Sequence, residues 1–256
     1  MSHYKFTILG CGSSGGVPRL GNQWGACDPE NKKNYRLRCS LLIEKFGPAG
    51  VTTILIDSGP DMRQQLLKAG IRTLDGVVYT HSHADHVNGI DDLRMIVLNL
   101  KKRLNVWADK KTEVRLVRCF DYAFKQLKGS NYPPILEINR IDKDEINING
   151  AGGIIKLQTL KVQHGMIDAL GFRISNLAYI PDVSDIYGET WGKLNGLEVL
   201  IIDALRYRPH SSHTHVEKTL SWIETIKPLK AYLTNMHTDL DYEKLNSETP
   251  KHITPA

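Results

Sequence analysis

The 256 residues (28.8 kDa) include 41% apolar and 24% charged side chains and carry a formal charge of +5, an ordinary globular composition that excludes collagen-like, fibrous and disordered classes. No apolar run approaches the ~20 residues that span a bilayer, and the opening ten residues hold no apolar stretch long enough for a signal peptide. Four cysteines (Cys11, Cys27, Cys39, Cys119) lack CxxC spacing and are sparse, so a reduced, cytoplasmic protein with no membrane partner is expected.

No linker or repeat divides the chain, and one domain over 1–256 is expected. Short β-branched and aliphatic runs bounded by Gly, Pro, Asp or His predict strands, beginning with Lys5–Leu9. After it comes a glycine loop, Gly10-Cys11-Gly12-Ser13-Ser14-Gly15-Gly16, whose backbone N–H groups and the hydroxyls of Ser13 and Ser14 could meet phosphate; a tight turn is the plainer alternative. Strands follow over Ser40–Glu44 and Thr52–Ile56, the latter ending at Asp57. A helix over Asp61–Ala69 stops at Gly70. The strand Gly76–Thr80 then runs straight into His81-Ser82-His83-Ala84-Asp85-His86.

In that segment four side chains with metal-binding groups occupy six positions. This composition yields HxHxDH by chance about once in a thousand such chains. Imidazole and carboxylate together suit both Zn²⁺ and Mn²⁺. Beyond it, Ile90, Leu93, Val97, Leu100 and Leu104 repeat at helical spacing over Gly89–Leu104. Between Arg94 and Lys128 ten basic residues face only Asp109, Glu113 and Asp121, a local +7 that attracts phosphate-bearing partners or simply solvates a helix pair.

Strands recur at Ile154–Val162, Leu177–Ile180, Glu198–Ile202 and Lys230–Thr234, and polar residues stand just past three of them: His164, Asp182 and His237. Strands aligned in layers would bring these ends to one rim. Seven ligands overserve one ion but suit two: His81, His83 and His164 on the first, Asp85, His86 and His237 on the second, with Asp182 bridging. Two divalent ions so placed activate a water and clamp the oxygens of a displacement, which is hydrolase chemistry. Thr214-His215-Val216-Glu217 reads as a capping box for a helix that runs to Lys227 before Pro228, with His213 just ahead of it. An anion is favoured at such a helix start, and His213 could protonate a leaving alkoxide.

On these residues the chain resembles the metallo-β-lactamase-fold superfamily. The resemblance implies an α/β fold, the αββα four-layer sandwich, with the metals at one edge and Asp57 orienting the site from behind the ligands. Within the superfamily the glycine loop, a bridging Asp and the Pro209–His215 segment are similar to the cyclic-phosphate phosphodiesterases of phosphonate catabolism and to tRNA 3′-processing nucleases. The implied catalytic residues are Asp85, Asp182 and His213. The implied substrate is a small or cyclic, nucleotide-like phosphate ester, with homodimers common among relatives. Two alternatives stay open. One is a tRNA 3′-processing endonuclease, with nucleic acid as partner. The other is a binding protein on the same fold, similar to the pyrroloquinoline quinone biosynthesis relative.

Two departures stand out. Relatives of the phosphonate pathway carry a cysteine cluster for a structural zinc after the opening loop, where this chain has Cys27 alone, so no such zinc is expected. Relatives place the last histidine ligand in Leu-Thr-His, where this chain has Leu233-Thr234-Asn235-Met236-His237. The ligand is assigned to His237, with Asn235 at the displaced position.

Overall fold

The computed structural model describes residues 3–256, which group into two compact units: one extends to Leu9 and resumes over Ser40–Lys156, the other takes Gly10–Cys39 and Leu157–Ala256. In the first unit, β1 (His3–Gly10), β2 (Ser40–Gly47), β3 (Gly50–Ile56), β4 (Gly76–Val78), β5 (Leu104–Ala108) and β6 (Leu136–Arg140) form one sheet in that order. The strand β7 (Glu145–Ile148) follows in sequence. β2 and β3 pair antiparallel from Leu41↔Ile56 to Gly47↔Gly50, whereas β3 to β6 run parallel. Parallel strands need crossovers, and these are supplied by α1 (Met62–Ala69), α2 (Ala84–Val87), α3 (Leu93–Leu100), α4 (Lys110–Cys119) and α5 (Asp121–Phe124). Ile54, Leu55, Ile56, Val77 and Val78 are all buried, so β3 and β4 show no alternation, and of these Leu55 and Val77 face the core that the helices share. Leu42, Leu55, Met62, Leu66, Leu93, Ile96, Val106 and Leu116 belong to one continuous core.

Most predicted elements of this unit appear, and one is corrected. The helix expected to reach Leu104 stops at Leu100. There Lys101 turns left-handed (φ 56°) and its N–H closes on Val97 O. Leu104 kept the apolar spacing because it is the first inward residue of β5, not because the helix continued.

The second unit holds β8 (Ile155–His164), β9 (Ile167–Ile174), β10 (Leu177–Ile180), β11 (Asp185–Ile186), β12 (Val199–Asp203), β13 (Lys230–Thr234) and β14 (Ile253–Pro255), with α6 (Gly188–Trp191), α7 (Val216–Ile226) and α8 (Tyr242–Glu248). Their sheet order is β11-β8-β9-β10-β12-β13-β14. β9 is antiparallel to both β8 and β10, so those two run the same way, and β10, β12, β13 and β14 are mutually parallel. The carboxyl ends of β8, β10, β12 and β13 therefore lie on one edge of the sheet. His164, Asp182, Asp203 and Asn235 stand at or just beyond those ends, where ligand sites of parallel sheets form.

The long loop 10–39 is stitched to the end of β13 by Met236 N–H donating to Cys11 O (2.8 Å) and Ser13 N–H to Met236 O (3.2 Å). Cys27 Sγ lies 3.3 Å from Leu240 O, and Asn34 donates to Asp241 at 2.7 Å. The expected capping box at Thr214 is not formed. The N-cap of α7 is His215, without a side-chain cap bond; Thr214 is buried, its hydroxyl 3.2 Å from that of Thr219, whose proton goes to Asp203 O. Among the described residues no helix is long and apolar enough to cross a membrane.

Candidate metal centre

In the first unit the metal-competent loop is fixed by Asp57. At the end of β3 this residue takes a left-handed turn (φ 63°) and donates its N–H to Val78 O at 2.9 Å. Its fully buried carboxylate accepts from Thr80 N–H (2.8 Å), Thr80 Oγ1 (2.8 Å) and His86 Nδ1 (2.7 Å). Burial pushes the Asp57 carboxyl above its ordinary range, against the pull of His86. With Nδ1 committed to Asp57, His86 presents Nε2, and Asp85 Oδ2 stands 3.4 Å from it. The Thr80 hydroxyl, having donated to Asp57, can accept from His81 Nδ1 at 3.0 Å, which likewise leaves Nε2 as the His81 nitrogen that could hold a metal. Ring centroids of His83 and His86 lie 4.5 and 4.3 Å from that of His81. His81, His83, Asp85 and His86 are thus brought together as expected ligands are, with Asp57 behind them.

Two glycines permit this packing. A Cβ on Gly59 would sit 2.1 Å from Asp85 O, and Gly89 meets Gly59 O as closely. Gly59→Ala is therefore expected to destabilise the protein by about 3 kcal/mol, read as a lower urea midpoint with unchanged slope.

In the second unit His164 and Asp182 meet His213, the three offering ligand atoms all within 4.8 Å of one another. His164 Nδ1 donates to Ser212 O at 2.5 Å, leaving Nε2 3.7 Å from Asp182 Oδ2. Gly165, at φ 62°, lets that turn close, since a Cβ there would lie 2.8 Å from the Ser212 Cβ. His213 Nδ1 is 3.7 Å from Asp182 Oδ2 and 2.8 Å from Asp203 Oδ2. Asp203 is wholly buried and also accepts from Val183 N–H at 3.1 Å. Burial pushes its carboxyl up to about 7, with the nearby charge of Asp182 adding to the rise and His213 opposing it. The sequence reading missed Asp203, although Ile201-Ile202-Asp203 repeats the strand-end pattern of Leu55-Ile56-Asp57.

His237 lies elsewhere than expected. Its Nε2 meets the Arg19 guanidinium, and its Nδ1 faces Asp239 Oδ1 at 3.0 Å. It belongs to none of the metal-competent groups found among the described residues. A guanidinium only donates, so it takes up the lone pair that a metal would need. Asn235 instead approaches the site residues, its Nδ2 3.0 Å from His213 Nδ1. Of the two hydroxyls expected at phosphate, Ser13 is buried and Ser14 is exposed. Imidazoles with tautomers set by outer partners, next to buried carboxylates, fit divalent metal binding.

Residues 52–236 match the beta-lactamase superfamily domain. The chain belongs to the metallo-β-lactamase superfamily. That membership carries the αββα sandwich class and a metal-dependent hydrolase setting for these clusters. Within the superfamily a crystal structure of a new diphosphatase from the PhnP family is similar over 100% of this chain and 95% of its own, at 33% identity and a TM-score of 0.88. Human tRNase Z, short form, covers 100% and 96% at a TM-score of 0.61, but its 15% identity speaks for the fold alone. An octanoyltransferase of Porphyromonas gingivalis is 36% identical over 251 residues, 96% of this chain and 49% of that protein. The chain spans about half the length of this curated relative.

Proposed function

We propose that the chain is a dinuclear metal-dependent hydrolase of small, nucleotide-like phosphate esters. The observation that carries this reading is the His164–Asp182–His213 group, backed by buried Asp203. In the superfamily's ligand order, His81, His83 and His164 serve one ion, Asp85 and His86 the other, and Asp182 both. His237 is left out of that set because Arg19 faces its Nε2. Asn235 stands where relatives place their last histidine. Divalent ions held there, Zn²⁺ or Mn²⁺, would supply a water ionised near neutrality and positive charge for the phosphoryl oxygens.

The chain's own residues do the rest. Asp203 accepts from His213 Nδ1 and so orients the ring with Nε2 outward, the nitrogen suited to hand a proton to the departing oxygen. Asp57 and Ser212 O hold the ligand imidazoles in one tautomer, so no reorganisation is needed as charge develops. The similar PhnP-family diphosphatase supports a phosphate-directed site. The test is hydrolysis of bis(p-nitrophenyl) phosphate by protein stripped of metal and reloaded with Mn²⁺ or Zn²⁺. Metal-restored turnover is expected; no turnover with two equivalents bound overturns the reading.

A second reading, RNA processing, is favoured by one observation. Nine of the ten basic residues between 94 and 128 are exposed, on or beside α3, α4 and α5, with Arg94 half-buried against Asp91. The two readings differ in salt dependence. A small diester engages few cations, so log K should fall with log salt at a slope shallower than about −2; an RNA engaging six or more cations gives a slope of about −4 or steeper. Measuring affinity for a tRNA precursor between 50 and 200 mM salt, about the range where such losses are plain, separates them.

A further inference from the structure

The loop 204–215 joins β12 to α7 and delivers two groups to the site of the second unit. Ser212 O accepts from His164 Nδ1 (2.5 Å), and His213 Nδ1 donates to Asp203 Oδ2 (2.8 Å). At its base the loop is closed by Val216 N–H donating to Arg206 O (3.0 Å) and Leu205 N–H donating to Thr214 O (3.3 Å). Between these, residues 207–212 make no backbone–backbone hydrogen bond among the described residues. Backbone groups without such partners must find side chains or water, and here side chains build the frame. The Arg206 guanidinium donates through Nε to Arg208 O (3.1 Å) and through Nη2 to Pro209 O (2.9 Å). His210 Nδ1 accepts from Ser212 N–H at 3.3 Å and stands 3.2 Å from Ser212 Oγ. Its ring lies 5.3 Å from that of His213. A chain of contacts thus runs from Arg206 through the carbonyls of Arg208 and Pro209, then His210, to Ser212 and His213.

We propose that Arg206 is a positioning residue: its guanidinium sets the path of residues 208–212 and, through them, the tautomer of His164 and the aim of His213. This rests on the hydrolase reading above and adds to it the device that keeps two of its groups in register. Arg206 itself donates to carbonyls of its own loop and, among the described residues, to none of the proposed ligands. Arginine suits the task where lysine does not. Its planar guanidinium holds Nε–H and Nη2–H in one fork that meets two carbonyls at once, whereas an ammonium on a flexible stem fixes neither in direction. Were Ser212 O to withdraw, His164 Nδ1 would lose its acceptor, and the proton could move to Nε2, where the ligand lone pair is needed. The His213 ring would then be held by Asp203 and Asn235 but no longer by its own backbone, and Nε2 would lose its line to the departing oxygen.

The experiment compares the parent with Arg206→Ala and Arg206→Lys. Zn²⁺ affinity is read on the metal-free full chain by competition with a fluorescent chelator. Turnover is read on the Mn²⁺-loaded chain with the p-nitrophenyl and phenyl diesters of one nucleotide. Phenolate, with a pKa of about 10 as in tyrosine, leaves poorly without a proton, while p-nitrophenolate leaves readily. Arg206→Ala should bind Zn²⁺ about tenfold more weakly, the low end for a changed partner behind a ligating imidazole. Its kcat on the phenyl diester should fall on the order of tenfold, part of what a positioned acid contributes, with KM little changed and a clearly smaller loss on the p-nitrophenyl diester. Arg206→Lys should lose nearly as much at a urea midpoint close to the parent's, and it carries the test if the alanine variant does not fold. Unchanged Zn²⁺ affinity, equal losses on the two diesters, or full recovery in Arg206→Lys overturns the proposal and leaves the hydrolase reading intact. If the parent hydrolyses neither diester with metal bound, the hydrolase reading falls, and the Zn²⁺ affinities still decide whether Arg206 positions His164.

Discussion

Asp182→Ala should lower metal-restored phosphodiester hydrolysis by on the order of 10²–10³-fold, the loss that follows removal of one preorganised group at developing charge. The carboxylate is 3% exposed and lies 3.7 Å from both His164 Nε2 and His213 Nδ1. It is the negative charge around which those two imidazoles are arranged. A water in the space left by alanine restores volume but not charge, and two cations close together then repel without a shared anion. Metal analysis should show one equivalent lost. Asp182→Asn, which keeps the shape, should lose activity nearly as far. Near-normal kinetics in either variant with two ions bound would remove Asp182 from the bridging position.

Asp57→Asn should weaken metal binding by about 10–100-fold, the usual consequence of changing the partner behind a ligating imidazole. The variant can keep its amide oxygen on Thr80 N–H, so the turn after β3 survives. Its NH₂ group then faces His86 Nδ1, which must accept instead of donate. The proton moves to Nε2, the nitrogen needed as ligand. Competition against a fluorescent Zn²⁺ chelator reads the affinity, and circular dichroism checks that the fold persists. Unchanged affinity would mean that Asp57 serves only as a strand-end turn.

Asp57 and the HxHxDH segment were legible because strand, turn and ligands are contiguous in the first unit: Ile54-Leu55-Ile56-Asp57 and Val77-Val78 announce their own ends. His164 and Asp182 were legible for the same reason in the second. What sequence could not show depends on pairing across long separations. Asp203 behind His213 required knowing that the loop after β12 folds back over the strand end, and Thr214 was misread as a cap because its burial against Thr219 has no local signature. His237 looked like a ligand by proximity to a strand. Its placement is set by Arg19, 218 residues away, which no spacing rule reaches. The helix that ended early at Lys101 shows a related limit: apolar periodicity continues across a boundary whenever the next strand starts on an inward residue.

The second unit is assembled from two stretches of chain separated by more than a hundred residues, and Cys11 Sγ reaches Ala256 O across 245 positions. Translation adds ~5–20 residues per second. The segment 10–39 therefore waits roughly 10–40 s after emerging before the residues around Met236 and Leu240 exist to receive it, at that elongation rate. Throughout that interval Cys11, Cys27 and Cys39 are open to oxidants, though all three end up buried. Arg19 is likewise made 218 residues before His237, the side chain it meets. Strands made later in the chain lock the loop made earlier.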